Sequence, residues 1–139
     1  MQHAALCSIL GGMKERADMR TILIGNSFPL SQVESTVTIE VVEIEVFREA
    51  LCNARVCSFW GHTNTLQAAS EFAGCDLTPH SERPVLTLSE RKRPVLCGLE
   101  FNVCWVLSPR HALNFRPAIG AEVGSELITG WMIKKMEWI

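Results

Sequence analysis

Val56-Cys57-Ser58-Phe59-Trp60-Gly61-His62-Thr63-Asn64-Thr65-Leu66 hands one kind of backbone over to another. The β-branched and aromatic run from Val56 to Trp60 reads as a strand and stops at a glycine. His62 follows at once, and then a Thr-Asn-Thr cluster able to cap a helix. Leu66, Ala69 and Phe72 are spaced for one helix face over 64–73, and Gly74 can end the helix. His62 is therefore expected where a strand passes into a helix. At a helix N-terminus the backbone N–H groups point outward and the dipole is positive, which suits a phosphate.

Working outward, the same alternation continues. Thr21-Ile22-Leu23-Ile24 reads as a strand, followed by a turn at Gly25-Asn26-Ser27. Val37 to Val42 is a second strand, and Ile44, Phe47 and Leu51 mark a short amphipathic helix over 43–51. Val85 to Leu88 is expected as a fourth strand and Leu96 to Leu107 as a long fifth. Ala121 to Ile128 reads as a helix and Trp131 to Trp138 as a last strand. Strands and helices alternate early, and strands then cluster. That pattern predicts an α/β or α+β layer fold: one domain with a small mixed β-sheet of about five to six strands and flanking helices. Residues 1–18, with Gly11-Gly12 and a charged Lys14-Glu15-Arg16, lack a clear period and read as an N-terminal extension to a domain over 19–139.

The chain has 139 residues, 47% apolar and 20% charged, which is enough for one packed core. A net charge of -2 provides no long-range attraction to nucleic acid, so a nucleotide ligand must be held by a local site; duplex DNA is not expected as a partner. No stretch approaches the roughly 18–20 uninterrupted apolar residues of a membrane span. No secretory signal is expected either, which points to the cytoplasm. The six cysteines (Cys7, Cys52, Cys57, Cys75, Cys97, Cys104) include no Cys-x-x-Cys pair and lack zinc spacing, so they are expected as reduced thiols, with no metal and no cofactor.

His62 leads the candidate functional residues. Gly61 lets backbone approach a ligand, and Thr63 and Thr65 offer hydroxyls. The place is the carboxyl end of a strand, where open α/β sheets put ligands. Asn26 and Ser27 end the first strand and could touch a ribose or phosphate at the same edge, or form an ordinary turn. Arg110 ends the fifth strand after Ser108-Pro109 and could supply a cation. His111 and His80 are further candidates without supporting context. Arg91-Lys92-Arg93-Pro94 reads as a solvated hairpin tip, with phosphate contact as the alternative. No paired carboxylates, P-loop or Gly-x-Gly-x-x-Gly are present. A histidine beside a bound phosphate is the minimum for cutting RNA without a metal, because imidazole titrates near neutral pH.

Over residues 19–139 the chain resembles the viral ring nucleases, anti-CRISPR proteins that degrade cyclic tetra-adenylate. The likeness begins at Gly25-Asn26-Ser27-Phe28, is strongest at Ser58-Phe59-Trp60-Gly61-His62-Thr63-Asn64-Thr65, and continues through Gly74, Leu77, Arg83 and Arg110. The resemblance implies a homodimer with the cyclic ligand across its axis and a metal-free reaction. In that reaction a ribose 2′-hydroxyl attacks its own phosphorus and leaves a 2′,3′-cyclic phosphate. It implies that His62 protonates the departing 5′-oxygen and that Arg110 binds the phosphate. Asn26, Ser27, Phe28, Gly61, Thr63, Thr65 and Arg83 are implied around the ligand, and His111 is taken as a ligand-side substitute for a glutamate this chain lacks. Leu113 stands where many family members have a glutamate, and the segment from Arg83 to Arg110 is longer than usual. A binding sponge without turnover, or a structural or regulatory viral dimer, are the alternative readings.

Overall fold

The computed structural model of the chain describes residues 21–81, 84–111 and 128–139. The strands are β1 (Thr21–Gly25), β2 (Val37–Val42), β3 (Arg55–Ser58), β4 (Thr87–Leu88), β5 (Pro94–Leu96), β6 (Leu99–Glu100), β7 (Val103–His111) and β8 (Ile128–Trp138). Two helices, α1 (Ile44–Leu51) and α2 (Thr63–Ala73), lie among them. The chain is a mixed α+β fold. Its main sheet has the order β2-β8-β7-β1-β3, and β4-β5-β6 forms a second, three-stranded sheet. β1 runs parallel to both β3 and β7, whereas β8 is antiparallel to β7 and to β2.

Register explains the apolar runs. Ile22 and Ile24 face one side of the main sheet and Leu23 the other, and all three are buried. β7 alternates likewise, with Trp105 and Leu107 opposed to Cys104 and Val106. Side chains that alternate across a strand covered on both faces give a continuous hydrophobic run rather than a polar alternation. One face is covered by the helices: Phe47 of α1 and Ala69 of α2 are fully buried against Trp105 and its neighbours. The other face is covered by the small sheet, through Leu96 and Phe101 against Leu23, Cys104 and Met136. The flanking helices therefore share a single face among the described residues, and a β-meander supplies the other layer.

The helix ends follow from residue chemistry. Gly74 closes α2 at φ 76, a left-handed position that favours glycine, and its N–H bonds to Ser70 O. The N-cap is His62, not a residue of the Thr-Asn-Thr cluster, and its side chain makes no capping bond. Thr63 is already the first helical residue.

The long strand expected over 96–107 is in fact β5, β6 and most of β7. Cys97 and Gly98 both have positive φ, 55 and 77, and turn the chain between the paired residues Leu96 and Leu99. Two consecutive residues at positive φ make the tight hairpin that matches strand twist. Glu100, buried inside the apolar run, forms an ion pair with Arg91 at 2.6 Å. The basic segment is a hairpin tip between β4 and β5, and its cations are engaged. Lys92 pairs with Glu34 at 3.3 Å, and Arg93 donates to Trp138 O at 2.9 Å. Ile128, expected as the end of a helix, opens β8. Residues 1–18, Arg83, Leu113 and the remainder of the helix expected over 121–128 lie outside the described residues.

Gly25 is read from sequence as a turn glycine, yet it is the last residue of β1 and has no positive φ. A Cβ there would overlap the ring of Phe59, which is buried against it. The Gly25→Ala variant is expected to destabilise by about 1–3 kcal/mol through overpacking, read as a lower urea midpoint.

Candidate functional site

The parallel trio β1, β3 and β7 points its carboxyl ends to one edge of the main sheet. That edge receives the three segments singled out from sequence: 26–28 after β1, 59–62 after β3, and Arg110-His111 at the end of β7. Two of these touch directly. Asn26 Oδ1 accepts the backbone N–H of Gly61 at 2.8 Å, across 35 residues of sequence. The side chain of Asn26 thus sets the path of the chain immediately before His62. Asn26→Ala removes one neutral hydrogen bond and is expected to cost about 0.5–1.5 kcal/mol in a urea titration.

His62 is exposed, and its backbone is held from three directions. Its carbonyl accepts from Trp60 Nε1 at 2.9 Å, from the N–H of Thr65 at 3.2 Å and from the Thr65 hydroxyl at 3.3 Å. Trp60 Nε1 also reaches Thr65 Oγ1 at 3.2 Å. Ser58, buried at the end of β3, donates to Leu77 O at 2.5 Å and accepts from the N–H of Trp60 at 3.2 Å. The first turn of α2 carries no acidic residue, and no side chain caps it. The positive helix end therefore lacks an internal counter-charge from its own first turn.

The other sequence candidates fall into three groups. Gly61, Thr63 and Ser27 are exposed at this edge. Thr65 is buried, with its hydroxyl committed to Trp60 and the His62 carbonyl, so it serves the loop rather than the surface. Phe28 is half-buried and packs edge-on against Trp138 and Phe59, with ring centroids 5.2 and 6.1 Å apart; it anchors the 26–28 segment to the β-meander face. Arg110 is exposed and lies further out. Gly25 pairs with Val106, so Arg110 is four residues along β7, about 13 Å beyond at ~3.3 Å per residue. Among the described residues β7 pairs with β8 alone past Val106, and from Ser108 onward the two form a two-stranded ribbon whose register shifts between Arg110 and His111. Bulges of this kind re-aim side chains at sheet rims.

A cavity of about 580 Å³ opens beside the α2 N-terminus, a size that suits a small organic ligand. Trp60, Gly61, Thr63 and Leu66 form one wall, and the loop from Thr78 to Ser81 forms the other. Of that loop the sequence singles out His80 alone. Its signals are Asp76-x-Thr78 and His80. The Asp76 carboxylate accepts from the Thr78 hydroxyl at 2.6 Å and from the Thr78 N–H at 2.9 Å. These bonds lower the Asp76 pKa from its ordinary value and shape the loop. Among the described residues no helix is long and apolar enough to cross a membrane.

No family model matches the chain, and none of the curated proteins compared with it does.

Proposed function

We propose that this protein is a metal-independent ring nuclease that binds and opens a cyclic oligoadenylate, with cyclic tetra-adenylate the expected ring. The observation that carries the reading is the exposed His62, held by its backbone at the uncompensated N-terminus of α2 and flanked by Gly61 and Thr63 on a cavity wall. The helix end and adjacent amides attract a phosphate. The ribose 2′-hydroxyl attacks phosphorus, and His62 gives a proton to the departing 5′-oxygen. Ser27, Gly61 and Thr63 contact the ligand, and Asn26 and Thr65 position the loop that carries His62. Arg110, on the β7–β8 ribbon, reaches the ring from the side. In a homodimer the two sites face each other across the axis, and a cyclic substrate with repeating phosphates matches that symmetry. The protein would act in the cytoplasm of the infected cell, opposing type III CRISPR defence.

A sponge that binds without turnover is the second reading, and the distance of Arg110 along β7 from the level of Gly25 favours it. The test is incubation of purified protein with labelled cyclic tetra-adenylate in EDTA. Linear products with 2′,3′-cyclic phosphate ends support the nuclease. Retention of intact ligand on the protein supports the sponge. Neither result leaves the nucleotide reading without support.

A further inference from the structure

Three reactive side chains meet where the β5–β6 turn lies against β3, and one of them, His80, belongs to the loop that walls the cavity beside α2. Cys57 Sγ is 3.3 Å from Cys97 Sγ and aims its S–H at it. Cys97 Sγ is in turn 3.4 Å from His80 Nδ1. Cys97 and His80 are exposed, whereas Cys57 is 7% exposed. Among the described residues no group of three or more His, Cys, Asp or Glu side chains is arranged to hold a metal ion, so the trio is a matter of thiol chemistry. Cys97 also occupies a left-handed position, φ 55, where a tight hairpin usually carries asparagine, aspartate or glycine.

We propose that Cys97 and Cys57 are a peroxide-oxidisable thiol pair served by His80. Cys97 is the attacking sulfur, His80 takes its proton, and Cys57 resolves the product to a Cys57–Cys97 disulfide. In the first step the Cys97 sulfur attacks one oxygen of hydrogen peroxide and the O–O bond breaks. The departing hydroxide recovers the proton from His80 as water, and Cys97 becomes a sulfenic acid. In the second step the Cys57 sulfur attacks the Cys97 sulfur and the S–O bond breaks. The leaving hydroxide takes the Cys57 proton as a second water. Two thiols and one peroxide thus give one disulfide and two waters. The sulfurs must close from 3.3 Å to about 2.05 Å.

The division of roles follows from exposure. Peroxide reaches the surface thiol beside the histidine first. Burial, and then the adjacent Cys97 sulfur, push the Cys57 thiol up to about 12, so it waits as a protonated hydrogen-bond donor. The proposal is independent of the nucleotide reading.

The test treats the full chain with two equivalents of hydrogen peroxide in EDTA, alkylates it, and maps the peptides by mass. A linked Cys57–Cys97 peptide is expected as the main product. In Cys57→Ser, checked for folding by circular dichroism, dimedone is expected to trap the sulfenic acid on Cys97. Cys52, exposed at the end of α1, is the internal reference. His80→Ala removes the base beside the Cys97 sulfur, so it should slow Cys97 labelling relative to Cys52, whose rate stays unchanged. Equal labelling of Cys97 and Cys52, a rate unaffected by His80→Ala, or Cys97 linked to any cysteine but Cys57 would each overturn the proposal.

Discussion

The His62→Ala variant is expected to cleave cyclic tetra-adenylate about 10²–10⁴-fold more slowly than the parent chain in single-turnover assays, the usual worth of a positioned general acid. Ligand retention should change far less. In the proposed reading the helix end and backbone amides attract the phosphate, and these survive truncation of the ring. Stability should also hold within ~0.5 kcal/mol, as for other surface changes. His62 caps α2 through its carbonyl, which alanine also has, and its side chain makes no capping bond. The three readouts therefore separate: rate falls, retention persists and the urea midpoint stays. A variant that loses rate and midpoint together would assign His62 to the fold rather than to the chemistry.

The largest stability loss is expected at Phe47→Ala, by about 3–5 kcal/mol. Phe47 is wholly buried on α1, its ring centroid 5.6 Å from Trp105 and 6.5 Å from a stacked Phe72. Trp131 stacks on the far side of Phe72 at 5.6 Å and meets Trp60 at 6.2 Å. Truncation at Phe47 leaves a cavity among rigid rings that cannot collapse to fill it. The expected loss is a large part of the roughly 5–15 kcal/mol that holds a domain folded. At ~1–3 kcal/mol per molar, the urea midpoint should fall by one to several molar. A fall under about 0.3 M would show that the aromatic cluster repacks.

Cleavage assays on Phe47→Ala also bear on the site. Trp60 belongs to this cluster and holds the His62 carbonyl, so loosening the rings should loosen the loop at temperatures where the fold persists.

Much of this architecture is legible in the residues because the deciding signals are local. Phe47 and its neighbours sit at helical spacing. Val56 to Trp60 is β-branched and aromatic, and Gly74 can take a left-handed φ. Each depends on interactions within a few residues. The long strand misread over 96–107 shows the limit. Hydropathy treats Cys97-Gly98 as a pause in an apolar run, whereas their positive φ reverses the chain. Gly25 is misread in the opposite sense: its lack of a side chain makes room for Phe59, just past the end of β3, and φ has no part in it.

What the sequence by itself determined is β1, β2, the helices α1 and α2, and the place of His62 between a strand and a helix. Tertiary structure alone decided which segments meet: Asn26 with Gly61, Cys57 with Cys97 and His80, and the β-meander with the face of the main sheet opposite the helices. The reason is physical. Local propensities act over one or two turns of chain, whereas these contacts join residues 17 to 40 apart and exist only once the sheet has chosen its strand order.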